Sequence, residues 1–159
     1  MKTDSTIFVR ALGGADIDAV LKIEAASNPV PWQRDHFCHE IEANYSWPFV
    51  AVENGRVVGY VCMMSLFEEA QILNIAVEPE QRGKGIARIL MGHALQLGIE
   101  KGADVMALEV RASNRRAISL YENLGFTRTG VRALYYEGVE DAILMEKPLK
   151  ENPLCSLPL

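Results

Sequence analysis

No stretch of this sequence approaches the ~20 consecutive apolar residues that a membrane-spanning helix needs. Its first residues, Met-Lys-Thr-Asp-Ser-Thr, lack the apolar core of a secretory signal, so a cytoplasmic location is expected by default. Cysteine is scarce as well. Cys38, Cys62 and Cys155 are odd in number and show no C-x-x-C spacing, which argues for reduced thiols and against a disulfide framework. Metal binding is not expected: His36 and His39 would share a helix face from which Cys38 points away, and nothing completes the ligand set. Positive charge is in deficit, with a net charge of −5, so bulk attraction to nucleic acid or to anionic membrane is not expected. An anionic ligand would have to be held by local donors. There is no internal repeat and no low-complexity segment.

What is present has the composition of an ordinary soluble chain, 49% hydrophobic and 23% charged, and its 159 residues match the size of one domain. Residues 1–150 are expected to form that domain, with 151–159 a loosely attached tail. Thr6 to Leu12 reads as a strand, broken by Gly13-Gly14 before a helix from about Asp16 to Ala26, with Ile17, Val20, Leu21 and Glu24 at helical spacing. Asn28-Pro29-Val30-Pro31 ends that helix. Trp32 precedes a second helix, to about Asn44, with Phe37 and Ile41 on one stripe. The proline-rich elbow can wall a groove, or Trp32 and Phe37 can simply pack in the core. Asn54-Gly55, a strong hairpin signal, joins strands Phe49–Glu53 and Arg56–Ser65, and Ala70–Val77 follows as a third antiparallel strand.

The next stretch is the most informative. After the apolar run Ile72–Val77, stopped by Pro79, a glycine-bearing turn leads into a helix with Ile86, Ile89, Leu90, Ala94 and Leu97 on one stripe and His93 at its edge. Backbone N–H groups at a helix start have no intrahelical partner and the helix dipole adds positive character, so this turn is a ready anion site. Gly83 and Gly85 remove side chains that would keep a phosphate away. A Walker loop would require Ser or Thr after Lys84, where Gly85 stands, and the dinucleotide fingerprint would require a third glycine where Arg88 stands. Arg82-x-x-Gly85-x-Ala87 remains, directly after a strand.

Val105–Val110 reads as the following strand, and Glu109 interrupts its apolar run. A strand leaving a crossover helix is expected to be covered on both faces. A carboxylate there costs free energy unless it is solvated through a cleft or paired, and desolvation favours its neutral form, as a general base near neutral pH requires. Glu109 is therefore either a base or an ion-paired residue at a splayed strand end, held by Arg111 or another cation. Ser113 or Asn114 caps a helix to about Asn123 with Ala117, Ile118, Tyr121 and Leu124 on its stripe. Tyr121 lies on the buried side, where a tyrosine normally finds a partner for its hydroxyl. Thr127–Leu134 and Ala142–Lys147 are the last strands, joined through Tyr135 to Glu140.

Arg82-x-x-Gly85-x-Ala87 resembles the acetyl-CoA signature of the GNAT superfamily of N-acetyltransferases. The element order β-α-α-β-β-β-α-β-α-β-β is similar to that family's along residues 6–148. Asn74-Ile-Ala-Val-x-Pro, Leu108-Glu-Val-Arg-Ala-Ser-Asn, Ala117-Ile-x-Leu-Tyr-x-x-Leu-Gly-Phe and Tyr135-Tyr-x-x-x-Glu-Asp-Ala resemble its RimI-like members, which acetylate the N-terminal alanine of a small-subunit ribosomal protein. The resemblance implies an α/β GNAT fold: a mixed, mostly antiparallel sheet of about seven strands, flanked by four helices, with a parallel pair splayed at the cofactor. It implies acetyl-CoA as cosubstrate, bound by Ile75, Ala76 and Val77, by Arg82, Gly83, Lys84, Gly85, Ile86, Ala87 and Arg88 around the pyrophosphate, and by Asn114. It implies Glu109 as base and Tyr121 as acid. Trp32, Tyr135 and Tyr136 are expected to border the acceptor. Ala87 in place of glycine is an allowed variant, and the short Tyr136–Glu140 connection departs from some relatives. The expected partner is a protein N-terminus, the expected state a monomer or weak homodimer. Rival readings are the same chemistry on another amine (a small molecule, a lysine or other N-termini) and a CoA-binding module without catalysis.

Overall fold

The computed structural model describes residues 6–150; the expected tail, with Cys155, lies outside the described residues. In chain order the elements are β1 (Ile7–Ala11), α1 (Ile17–Ser27), α2 (Arg34–Glu42), β2 (Ser46–Glu53), β3 (Arg56–Leu66), β4 (Glu69–Val77), α3 (Ile86–Glu100), β5 (Val105–Arg111), α4 (Arg115–Asn123), β6 (Thr127–Tyr136) and β7 (Glu140–Pro148). Single 3₁₀ turns, Gly14–Asp16 and Pro79–Gln81, precede α1 and follow β4. The strands form one seven-stranded sheet in the order β1-β2-β3-β4-β5-β7-β6. It is mixed: the β4–β5 pair is parallel, and the other registered pairs are antiparallel. Among the described residues no helix is long and apolar enough to cross a membrane.

The described residues divide into two compact units, 6–64 with Leu73–Ala94, and Ser65–Ile72 with 95–150. In the first, Asn54 and Gly55 adopt φ values of 51° and 76°, so the hairpin between β2 and β3 has the left-handed pair of residues its sequence calls for. β2 begins at Ser46, earlier than Phe49, and runs through Pro48. Proline lacks an N–H, but Pro48 lies just beyond the last registered β1–β2 pair, Ala11↔Phe49, and its carbonyl accepts the Leu12 N–H at 2.9 Å. The core here is an apolar cluster of Leu12, Ile17, Val20, Ile23, Phe37, Val50, Val52, Tyr60 and Cys62.

In the second unit β5 alternates: Met106, Leu108 and Val110 are buried, while Val105, Ala107, Glu109 and Arg111 are half-buried. The expectation of a strand covered on both faces is therefore corrected. Val105 and Ala107 make the run look continuously apolar, yet they lie on the more open face with Glu109. β4 pairs with β5 only over Glu69–Gln71 and Val105–Ala107. Beyond those pairs Leu73–Ala76 are half-buried where a buried strand was expected. In α3, Ile86, Leu90, Met91 and Ala94 are buried, but Ile89, expected on the same stripe, is exposed.

Candidate active site

The anion loop belongs to the first unit. The Glu78 N–H bonds the Val58 carbonyl at 2.9 Å, ending β4 against β3, and the 3₁₀ turn then carries the chain to Gly83 and Gly85. Both glycines lie in the left-handed region, at φ 82° and 83°. A Cβ added to either would meet nothing within 4 Å, so backbone conformation demands glycine here and open space flanks the backbone. The Ile89 N–H bonds the Gly85 carbonyl at 3.1 Å, which makes Gly85 the last residue before α3. The N–H groups of Ile86, Ala87 and Arg88 thus occupy the helix's first turn, without intrahelical partners. A phosphate fits this combination of donors, dipole and open space.

Within the loop the side chains divide the work. Arg82 donates from Nε to the Val77 carbonyl at 3.3 Å and from Nη2 to Ser27 Oγ at 3.0 Å, so its guanidinium straps the loop to the end of β4 and to α1. Lys84 Nζ reaches Gln81 Oε1 at 2.7 Å, and Arg88 is exposed. The helix start is held from below by close approach. A Cβ on Gly59 of β3 would lie 3.1 Å from the Ala76 carbonyl, 3.2 Å from Leu90 Cδ1 and 3.3 Å from Ile86 Cγ2.

Asn74, at the head of the Asn-Ile-Ala-Val run, donates to Glu24 Oε2, which also accepts the Tyr60 hydroxyl. Glu24 is buried in α1, and its Oε1 has no hydrogen-bond partner among the described residues. Burial first, then the neighbouring Glu24 carboxylate, pushes the Tyr60 phenol far above its usual range, so it remains a donor. Trp32 stacks on His36 at 5.7 Å and packs edge-on to Phe37 at 5.3 Å, and Phe37 meets Tyr60 at 5.3 Å. Trp32 therefore covers the apolar cluster with one flank and stays half-buried.

Glu109, Asn114, Tyr121, Tyr135 and Tyr136 all belong to the second unit. Glu109 is 22% exposed and pairs with Arg132 at 3.3 Å, not with the nearby Arg111. Arg111 instead donates to Glu137 at 2.6 Å, lies 3.6 Å from Glu140, and stacks 4.3 Å over the Tyr136 ring. Arg132 in turn lies 5.0 Å over Tyr135, and the two tyrosine rings meet edge to face at 5.1 Å. Burial, then Glu109, raises the Tyr136 phenol to about 12 against the partial opposition of Arg111. Tyr121 is buried in α4 beside Phe126, and burial followed by Tyr136 moves its phenol above the ordinary range. Asn114 is the N-cap of α4, its Oδ1 accepting the Ala117 N–H at 3.2 Å.

A sequence profile described as "Acetyltransferase (GNAT) family" matches residues 17–126. The chain belongs to the GNAT acetyltransferase family. It is 39% identical over 153 residues to a putative ribosomal protein bS18-alanine N-acetyltransferase of Bacillus subtilis, covering 95% of this chain and 100% of that one. It is 34% identical over 144 residues to the Escherichia coli ribosomal protein bS18-alanine N-acetyltransferase, covering 89% and 97%. A crystal structure of the Escherichia coli ribosomal-protein-S18-alanine N-acetyltransferase superposes with a TM-score of 0.85 at 31% identity, over 97% of this chain and 100% of that one.

For a GNAT acyltransferase, several of these residues carry no local sequence signal. Glu24 reads as one more helix position until Asn74 and Tyr60, 50 and 36 residues away, converge on it. Gly59 is unremarkable in a strand until α3 packs over it. Arg111 stands two residues from Glu109, and only the fold shows that it turns to the β6–β7 end.

Proposed function

We propose that this acetyltransferase moves the acetyl group of acetyl-CoA directly to the N-terminal amine, alanine first, of a small-subunit ribosomal protein. The loop from Arg82 to Arg88 carries the reading: two left-handed glycines with open space beside them stand at the head of a fifteen-residue helix. Acetyl-CoA brings the activated thioester, and its pyrophosphate suits the first-turn N–H groups of α3. Ile75–Val77 supply the backbone for its pantetheine end, and Asn114 is assigned a contact farther along the cofactor. That relatives of this chain are alanine N-acetyltransferases of ribosomal protein bS18 supports the acceptor, and with it we read the enzyme as cytoplasmic and as a monomer or weak homodimer.

An α-amino group has a pKa of about 8, so at neutral pH most of it is protonated and cannot attack. Glu109 takes that proton, directly or through a water, from the open face of β5, and the second proton that the nitrogen sheds as it becomes an amide leaves to water; positioned acid–base groups contribute on the order of 10²–10⁴ in rate. A backbone N–H near Val77 is the assigned donor to the carbonyl oxygen as it becomes negative. Tyr121 faces the departing sulfur in this reading. Its phenol sits above its ordinary range while a thiol titrates near ~8.5, so it stabilises the thiolate by donating a hydrogen bond and keeps its own proton. Trp32, Tyr135 and Tyr136 border the peptide.

CoA release followed with peptides that differ only in their first residue tests the reading. The highest kcat/KM is expected for alanine, and no turnover for an N-terminally blocked peptide containing lysine; turnover of the blocked peptide alone would refute the acceptor. Undiminished turnover of Glu109→Gln at neutral pH would refute the base.

A further inference from the structure

The β6–β7 end is held in a conformation that its own backbone resists. Between the pairs Arg132↔Ala142 and Tyr136↔Glu140 the register slips, so that Ala133, Leu134 and Tyr135 on β6 oppose Asp141 alone on β7. Leu134 and Glu137 both lie at φ 52°, half of the four non-glycine residues with positive φ among the described residues. A branched side chain such as that of Leu134 is disfavoured there by contact of Cβ with the backbone, and such residues persist where their surroundings over-determine them. The surroundings here are specific. Asp141 Oδ1 accepts the Leu134 N–H at 2.9 Å. Arg111, at the end of β5, reaches Glu137 at 2.6 Å and Glu140 at 3.6 Å and lies 4.3 Å over Tyr136, with 19% of its side chain exposed. The proposed chemistry uses neither residue.

We infer that Arg111 and Asp141 are positioning residues that determine acceptor specificity, latching the strained β6–β7 end so that Tyr135 and Tyr136 keep one orientation toward the peptide. The inference rests on the reading that these tyrosines border the acceptor. Arg111 carries the larger share, because two carboxylates and a ring converge on one planar guanidinium. A lysine can replace its charge but neither its fork nor its stack.

Steady-state kinetics with an alanine-terminated peptide and acetyl-CoA varied separately test it. Arg111→Ala and Arg111→Lys are both expected to raise the peptide KM by about tenfold or more, leaving the acetyl-CoA KM within about twofold. Asp141→Ala is expected to do the same, and Asp141→Asn, which keeps an acceptor oxygen, to restore the wild-type value. Leu134→Gly keeps the N–H that Asp141 accepts and relieves the strain, so the peptide KM is expected to stay within about twofold while the melting temperature stays level or rises. Wild-type peptide KM in folded Arg111→Lys overturns the inference, as does an equal rise in both KM values. If Arg111→Ala does not fold, Arg111→Lys carries the test. Tyr135→Ala and Tyr136→Ala separate the two readings. If neither raises the peptide KM, the acceptor reading has failed; if they raise it and the Arg111 and Asp141 variants do not, this inference alone has failed.

Discussion

Gly59→Ala places one methyl group under the turn that leads into α3. The new Cβ meets the Ala76 carbonyl at 3.1 Å, Leu90 Cδ1 at 3.2 Å and Ile86 Cγ2 at 3.3 Å. The two side chains can give by a few tenths of an ångström, but the carbonyl is β4 backbone and cannot swing away alone. The first turn of α3 and the end of β4 must therefore separate slightly. Overpacking of a filled site costs about 1–3 kcal/mol, and replacing a strand glycine returns about 0.5–1 kcal/mol of chain entropy, leaving a net loss centred on about 1 kcal/mol. For a chain of this length that lowers the melting temperature by roughly 2–4 °C. The displaced N–H groups should also weaken CoA binding by about threefold to tenfold, since anchoring groups lose effect quickly with misplacement. Gly92→Ala is the matched control: its Cβ meets nothing within 4 Å, and alanine is favoured over glycine in a helix by about 0.5–1 kcal/mol. Calorimetric titration with CoA and thermal melts of both variants decide the matter. A Gly59→Ala protein that melts no lower than wild type and binds CoA within twofold of it would refute the close-packing account.

Gly85→Glu sets a carboxylate beside the assigned phosphate on a backbone already at φ 83°, and loss of CoA binding by titration is expected; retained affinity would move the cofactor elsewhere. Tyr121→Phe should lower kcat with little change in acetyl-CoA KM, and a change confined to KM would make Tyr121 a binding residue. Glu24→Leu strands the buried Tyr60 hydroxyl and should cost about 1–3 kcal/mol in chemical denaturation, whereas Glu24→Gln keeps an acceptor oxygen and should cost less; equal stability of Glu24→Leu and wild type would contradict this. Tyr136 holds its proton more tightly folded than unfolded, so its contribution is complete below pH 10, its unfolded value, and is lost as pH rises through about 12. Stability measured across that window should fall less steeply in Tyr136→Phe, and superimposable curves would show that Tyr136 does not contribute.

Much of the fold was legible because its signals are local. Asn54-Gly55, the left-handed Gly83 and Gly85, Gly125 after α4 and the Asn114 cap each act within a few residues, and all four are found as the sequence suggests. What escaped was set by distance or by the facing of a strand. Glu109 looked buried because its apolar neighbours, Val105 and Ala107, share its more open face, and its cation proved to be Arg132, from a strand beyond β7. Arg82 is read from its motif, and no local signal announces that its guanidinium also donates to Ser27, 55 residues earlier. The Leu134 bulge has no glycine to announce it. It exists because Asp141 and Arg111 hold it, and neither is adjacent in sequence.

The same bulge has a consequence for how copies of this chain meet. β6 is an outer strand of the sheet, ten residues long, and carries exposed Val131, Leu134 and Tyr135. A straight outer strand of that length and character would offer a continuous ladder of free backbone groups to any passing extended chain. Here the ladder is broken twice, near Gly130 and again through Leu134, so no long regular segment is available for edge-to-edge joining. The irregularity that aims the two tyrosines thereby also guards a crowded solution of this protein against sheet-to-sheet aggregation.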